Sequence, residues 1–433
     1  MTIINNIEID DIQYHRNCIK EAILNNEPIE DKLHVVIAIS NPCLYARRYI
    51  LLKEFVQRMQ LEESNVLLYV VELAYKKQRF IVTDAKNPRH LQIRTETPIW
   101  HKENMLNVGI RKLLPPGWKA VAWIDADVEF ENPSWALDTL KVLNGTKDIV
   151  QIFSHCLDMN AQEDTMSVFT SFGHQFVKGR PYSQKLVNFW HPGYAWACTR
   201  KAYEQMGGLY ERAILGSGDH IMSLSLIQKG SSAINSESTD DYKESIAEFQ
   251  DRVKRLRLGY VPGVIRHYFH GSKKNRGYAE RWQILLKWGF SPTTHVTNDR
   301  DGILVPTKEC PPELLKEIMD YFKSRNEDEF YQVTEDTVLA DDEDDGSASA
   351  SEAQQEEEEE YEEEEEEEEE YEEEEQEDAS EAEQEEEEYE EEQDDEDASE
   401  SEQESEVSSS DSDEDLSSPN VFAKLLRNWF VKR

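Results

Sequence analysis

Between Glu335 and Asp415 the chain carries 49 acidic residues and not one lysine or arginine. A run of this kind, broken mostly by serine, glutamine and alanine, with apolar side chains as sparse as Val338, Leu339, Val407 and the isolated Tyr361, Tyr371 and Tyr389, cannot bury enough apolar surface to offset the entropy of ordering it. Residues 331–418 are therefore expected to form a disordered acidic tail, and a packed core has to come from residues 1–330. There, 42 acids are balanced by 42 bases, so the formal net charge of −45 belongs to the tail. The final segment, 419–433, changes character again. Ser418-Pro419 reads as a helix start, and Val421, Phe422, Leu425, Leu426, Trp429 and Phe430 fall on one face with Lys424, Arg427, Lys432 and Arg433 elsewhere. It is expected to be an amphipathic basic helix suited to a membrane surface or a protein groove.

The neutral body has no Lys/Arg stripe, which argues against a nucleic-acid partner. Met1 to Asp31 is polar and acidic, without the basic start and apolar run of a signal peptide, and no later segment approaches the ~18 uninterrupted apolar residues a bilayer needs. Cys18, Cys43, Cys156, Cys198 and Cys310 are widely spaced, odd in number and form no C-x-x-C pair. Together these features point to a reduced, cytoplasmic setting.

Within the body, strand-like and helix-like stretches alternate. His34 to Ser40 is a compact, β-branched apolar run; Arg47 to Met59 has helical spacing; Val66 to Leu73 returns to strand. His101 to Leu114 reads as a helix stopped by Pro115-Pro116-Gly117, and Ala120 to Ile124 as a buried strand leading directly into Asp125, with a further strand signal over Asp148 to Ser154. This pattern predicts an α/β fold, a mostly parallel sheet with helices on both faces, whose ligands sit at the carboxyl ends of the strands. Residues 155–185 and 231–251 turn polar and read as loops that cover the site, the first as a lid.

Asp125 and Asp127, one residue apart at a strand end, can hold a hard divalent cation that also binds phosphate oxygens. The alternative is that they cap the helix expected near Pro133. Glu72 at an earlier strand end, Lys102 and Asn107 upstream, and His270 downstream are polar features placed where such a site needs them.

With those residues in view, the chain resembles glycosyltransferases of the GT-A fold, in particular the Golgi galactosyltransferase family, over about residues 34–290. Trp100-His-Lys-Glu-Asn-Met-Leu-Asn-Val-Gly109 is similar to that family's F-N-R-A-x-L-x-N-V-G, followed at a similar interval by its D-V-D, here Asp125-Ala126-Asp127. The resemblance implies Lys102, Asn107, Glu72 and Asp125 on a nucleotide sugar, and Asp125, Asp127 and His270 on a metal, Mn2+ or Mg2+, with His267 as the alternative histidine. Gly216-Ser-Gly-Asp-His220 stands where the family has G-W-G-G-E-D-D, which implies Asp219 as general base, with His220 as a contact to a glycan or protein acceptor. Trp190, beside His191 and Pro192, is the aromatic residue expected to offer a flat face to the acceptor, the alternative being that an aromatic along a strand belongs to the core. The expected activity is transfer of a sugar, with inversion, from a nucleotide-diphosphate sugar such as a UDP-sugar to an acceptor hydroxyl. Two other readings remain open: a nucleotidyltransferase, and a decayed transferase domain that displays its acidic tail to basic partners.

Overall fold

The computed structural model describes residues 2–4, 7–9, 18–61, 64–183, 189–277 and 280–329. The acidic tail 331–418 and the terminal segment 419–433 lie outside the described residues. After a small hairpin, β1 (Thr2–Ile4) and β2 (Ile7–Ile9), come α1 (Cys18–Asn25), β3 (Leu33–Ser40), α2 (Ala46–Leu61) and β4 (Val66–Tyr75). β3 and β4 pair in parallel from Leu33↔Val66 to Ser40↔Leu73, the crossover unit the sequence pattern predicts. β5 (His90–Thr95) extends this sheet beyond β4, and α3 (Lys102–Leu113) carries the chain back so that β6 (Ala120–Ile124) pairs in parallel with the other edge of β3.

β7 (Val128–Phe130) and α4 (Trp135–Leu143) follow, then β8 (Ile149–Gln151), β9 (His155–Met159), β10 (Thr165–Ser171), α5 (Phe172–Val177), β11 (Trp190–His191) and β12 (Ala195–Thr199). The remaining elements are α6 (Arg200–Met206), α7 (Gly218–Leu226), α8 (Asp240–Val253), β13 (Leu258–Tyr260), β14 (Val264–His267), α9 (Glu280–Lys287), β15 (Val296–Asn298), β16 (Leu304–Pro306) and α10 (Pro312–Ser324). The central sheet has the order β13-β8-β12-β6-β3-β4-β5 and is parallel except where β12 runs against both neighbours. The α/β class with a mostly parallel sheet is what forms.

Helices cover both faces because β3 is apolar at every position that matters. Val36 lies in one buried cluster with Met105, Leu106 and Val108 of α3, while Val35 and Ile37 lie in the other with Leu52 and Phe55 of α2 and Leu140 of α4. Buried aliphatic side chains of this size contribute roughly 1.5–3 kcal/mol each. α3 lies unusually close to the sheet at Gly109, where a Cβ would fall 2.5 Å from the Val71 Cγ2. That close approach fixes the start of α3, and Lys102 with it, near the end of β6.

A second sheet, in the order β11-β10-β9-β14-β7, lies beyond the end of β6. Its register sets His267 of β14 opposite Val128 of β7 on one side and opposite Asp158 of β9 on the other. This corrects two expectations. Residues 155–185 contain β9, β10 and α5 rather than a lid loop, and every residue of β9 is buried. The stretch 231–251 runs into α8, with Tyr242, Ile246 and Phe249 on its buried face. Both segments look polar because a two-sided burial with internal polar partners, not an apolar alternation, holds β9, and because most of α8 faces solvent. No helix of the described residues is long and apolar enough to cross a membrane.

Candidate metal and transfer site

Asp125 follows β6 directly, and the chain turns within two residues to enter β7. The capping alternative for these acids fails on position: α4 takes Ser134 as its N-cap residue. Asp127 instead points at two histidines. Its Oδ2 lies 3.1 Å from the His270 Nε2 and 3.8 Å from the His267 Nε2. One ligand atom from each of Asp127, His267 and His270 falls within 4.8 Å of the others. Burial raises the proton affinity of the Asp127 carboxylate, but the His270 hydrogen bond and the nearby His267 outweigh it and hold its pKa well below the usual range. The Asp127 Oδ1 is buried and has no hydrogen-bond partner, an unsatisfied anionic oxygen of the kind a cation would cover.

Behind His267 stands a carboxylate that sequence reasoning missed. Asp158, only 2 % exposed, takes the His267 Nδ1 at 2.6 Å and the Lys273 Nζ at 2.9 Å. An Nδ1–H held by a carboxylate leaves the Nε2 lone pair free to coordinate, the arrangement typical of metal-bound histidines. His267, held as the alternative to His270, thus joins it rather than replacing it. The signal for Asp158 was faint, since an acid in a polar stretch between two turns carries no periodicity.

Asp125 is not part of this trio. Its Oδ1 pairs with the Lys102 Nζ at 2.5 Å, and burial pushes its carboxyl up to about 6 although Lys102 opposes the shift. For Lys102, burial acts the other way and is overcome by Asp125 and Asp219, so the ammonium stays charged. The geometry therefore separates the two carboxylates, Asp127 toward the histidines and Asp125 toward the cation at the start of α3.

Lys102 and Asp219 line one narrow pocket with Glu103, Trp123, Gly193, Tyr194, Trp196, Leu209 and Met222. Asp219 sits in the first turn of α7 and not at its cap, which is Ser217. Burial works against the Asp219 carboxylate, but Lys102 and the His220 N–H, which donates to Oδ1 at 2.9 Å, hold its pKa below the ordinary value. His191 is driven by burial down to about 3 and so stays neutral. The Pro192-Gly193-Tyr194 turn brings these groups together. A Cβ on Gly193 would lie 3.0 Å from the Asp219 Oδ2, and Tyr194, at φ 75°, accepts the Asp125 N–H at its carbonyl at 2.8 Å. A tyrosine in the left-handed region stores backbone strain beside the site. Its ring stacks on His191 at 4.2 Å and approaches His267 at 4.6 Å.

Glu103 is the other residue the sequence did not reveal. It is 8 % exposed, packs against Gly218 at the start of α7, and burial pushes its carboxyl up to about 7. An acid among the buried positions of α3 was visible in the sequence as a break in its apolar face.

Three expected site residues have other partners. Asn107 gives its amide to the Leu209 carbonyl and to Glu211, and its oxygen accepts from the Leu209 N–H and the Tyr203 hydroxyl. It clamps the turn after α6 rather than facing a ligand. Glu72 accepts from the backbone N–H groups of Ile81, Val82 and Thr83 and from the Thr83 hydroxyl, and so organises its own loop. Trp190 is in the core, edge-on to Phe172 and Tyr182, and offers no face to an acceptor. His220 lies beside Asp219, with burial lowering its pKa.

No known family profile matches this chain, and no curated protein sequence does. Among solved structures, similarity extends to a Drosophila β1,4-galactosyltransferase 7 crystallised with manganese, UDP-Gal and xylobiose, at 12% identity and a TM-score of 0.28, covering 46% of this chain and 62% of that one. A mannosyltransferase from Pyrobaculum calidifontis in complex with GDP-Man and Mn2+ matches at 14% identity and a TM-score of 0.34, over 70% of this chain and 76% of its own. A putative nucleotide-diphospho-sugar transferase from Desulfovibrio desulfuricans matches at 10% identity and 0.25, over 68% and 99%. This chain thus spans less than two thirds of the galactosyltransferase.

Proposed function

We propose that this chain is a metal-dependent glycosyltransferase that moves a sugar from a nucleotide-diphosphate donor to an acceptor hydroxyl, with inversion. The observation that carries the reading is the Asp127 Oδ1, buried and unpartnered, on a carboxylate that also faces two histidine Nε2 atoms. A mixed carboxylate and imidazole set suits a divalent ion of the Mn2+ type, held by Asp127, His267 and His270. When bound, the ion would supply charge neutralisation at the departing diphosphate.

The chain's own residues account for the rest. Lys102, kept cationic by Asp125 and Asp219, offers a fixed positive charge beside the trio to a phosphate oxygen. Asp219, ionised across the neutral range, accepts the proton of the acceptor hydroxyl as its oxygen bonds to the sugar carbon and the diphosphate leaves. Trp123, Tyr194, Trp196, Leu209 and Met222 form apolar walls that limit the access of water. A single carboxylate base fits direct displacement, and the donor class we favour is a UDP-hexose.

The test is a panel of nucleotide sugars incubated with the protein and Mn2+ or Mg2+, scored for released nucleoside diphosphate. Turnover with at least one donor, abolished by chelation and by Asp127→Asn, is the expected result. A folded protein that turns over no donor would move the reading to a non-catalytic domain. Metal-dependent binding of a nucleotide diphosphate that survives Asp127→Asn unchanged would remove Asp127 from the site.

A further inference from the structure

His270 is not on a strand. It belongs to an arm, residues 268–276, that follows β14 directly. One side of the arm is tied to the site itself, by the Tyr268 N–H to the Asp127 carbonyl at 2.8 Å and by Lys273 to Asp158 at 2.9 Å. The other side meets the segment that follows α10. A Cβ on Gly271, next to His270, would lie 3.0 Å from the Glu327 Cα and 3.3 Å from the Arg325 carbonyl oxygen. Asn275 donates to the Glu329 carboxylate at 3.0 Å, and the Arg276 carbonyl accepts the hydroxyl of Tyr321, in α10 itself, at 2.9 Å.

That following segment, 325–329, is also tied to α2. Asp328 accepts the N–H groups of Ala46 and Arg47, each at 2.8 Å, at the start of α2. Glu327 is 3 % exposed and holds two guanidinium groups, Arg48 through both its oxygens and Arg325 at 2.8 Å. Arg47 closes the circuit by donating its Nε to the Phe269 carbonyl at 2.8 Å. A buried carboxylate between two arginines is costly to rearrange, because moving it strands charge. Gly271 stands at φ 97°, so a side chain there would be both strained and in collision with the segment.

We infer that residues 325–329 form a latch that fixes the His270 arm, with Glu327 as the positioning residue for the metal centre. The inference rests on the metal site proposed above. Glu327 would act mainly through His270, the ligand that the arm itself carries, which gives the latch a signature that general stability does not share.

The experiment is a titration of the full chain with Mn2+ alone, following free Mn2+ by its electron paramagnetic resonance signal, on a four-member cycle: wild type, Glu327→Gln, His270→Ala and the double variant. Glu327→Gln is expected to weaken Mn2+ binding by about tenfold or more, as loss of groups that orient ligands does. In the His270→Ala background the same change should add less than about twofold. Equal loss in both backgrounds, or no loss in either, overturns the latch. If Glu327→Gln does not fold, Asn275→Ala, which removes only the Glu329 tie, takes its place in the cycle with the same criteria and an expected loss of about threefold. Failure of the folded wild type to bind Mn2+ would overturn the metal site, and the latch with it.

Discussion

Replacing Glu103 by glutamine is expected to stabilise the protein at pH 8 and leave it almost unchanged at pH 4. Glu103 is 8 % exposed, and burial, reinforced by Asp219 and Asp125 and opposed by Lys102, pushes its carboxyl from 4.5 up to about 7. At ~1.4 kcal/mol per pH unit the gap corresponds to about 3 kcal/mol. The sign follows from which state loses its proton first. In the unfolded chain the carboxyl ionises near 4.5, whereas in the folded protein it holds its proton to about 7, so stability falls as pH rises through that window and levels off above it. Glutamine keeps the shape, does not titrate, and removes that fall. Urea unfolding of wild type and Glu103→Gln at half-unit steps from pH 4 to pH 8.5 reads the effect as a difference curve. It should rise from near zero to about 3 kcal/mol in favour of glutamine. Parallel curves, with the same difference at every pH, would refute the claim that Glu103 is held neutral by burial.

Asn107→Ala should cost about 2–6 kcal/mol of stability, since it strands the Leu209 N–H and the Tyr203 hydroxyl at ~1–3 kcal/mol each, yet leave Mn2+ affinity unchanged. Chemical denaturation and a metal titration check the two halves, and a selective loss of donor binding in a stable variant would return Asn107 to the site. Asp219→Asn is expected to bind metal and donor normally and to lose about two or more orders of magnitude in transfer rate. Near-normal transfer by that variant would shift the proton acceptor to His220 or point to a retaining mechanism. A chain ended after Phe330 retains every contact of residues 325–329 and should keep its thermal transition within about 2 °C of the full chain, read by calorimetry. A larger drop would show that the acidic tail or the terminal segment packs on the body.

The linear order of residues carries the architecture because the strands are read from uninterrupted apolar runs. Leu33–Ser40, Val66–Tyr75 and Ala120–Ile124 must be buried on both faces, and burial on both faces between helices makes a parallel sheet. The same logic places Asp125 and Asp127 at a strand end, where the sheet's ligands gather. Which way each carboxylate turns is decided elsewhere. Asp127 meets His267 and His270 only because β14 pairs with β7 in one register, and Asp125 is taken by Lys102 only because Gly109 lets α3 sit close to the sheet.

The polar residues are where sequence and structure part. Asn107, Glu72 and Trp190 were expected at the site from their neighbours in the chain, but a buried polar group goes to whichever partner lies within hydrogen-bonding distance. For Asn107 that is Leu209, and for Glu72 the backbone of residues 81–83. Asp158 and Glu327 show the converse: neither has a sequence signature, and each gains its place from contacts 109 and 279 residues away, with His267 and Arg48. Apolar periodicity is a local property, so the sequence alone determines which segments are buried. The partner of a charge is set by distance in space, which only the tertiary structure decides.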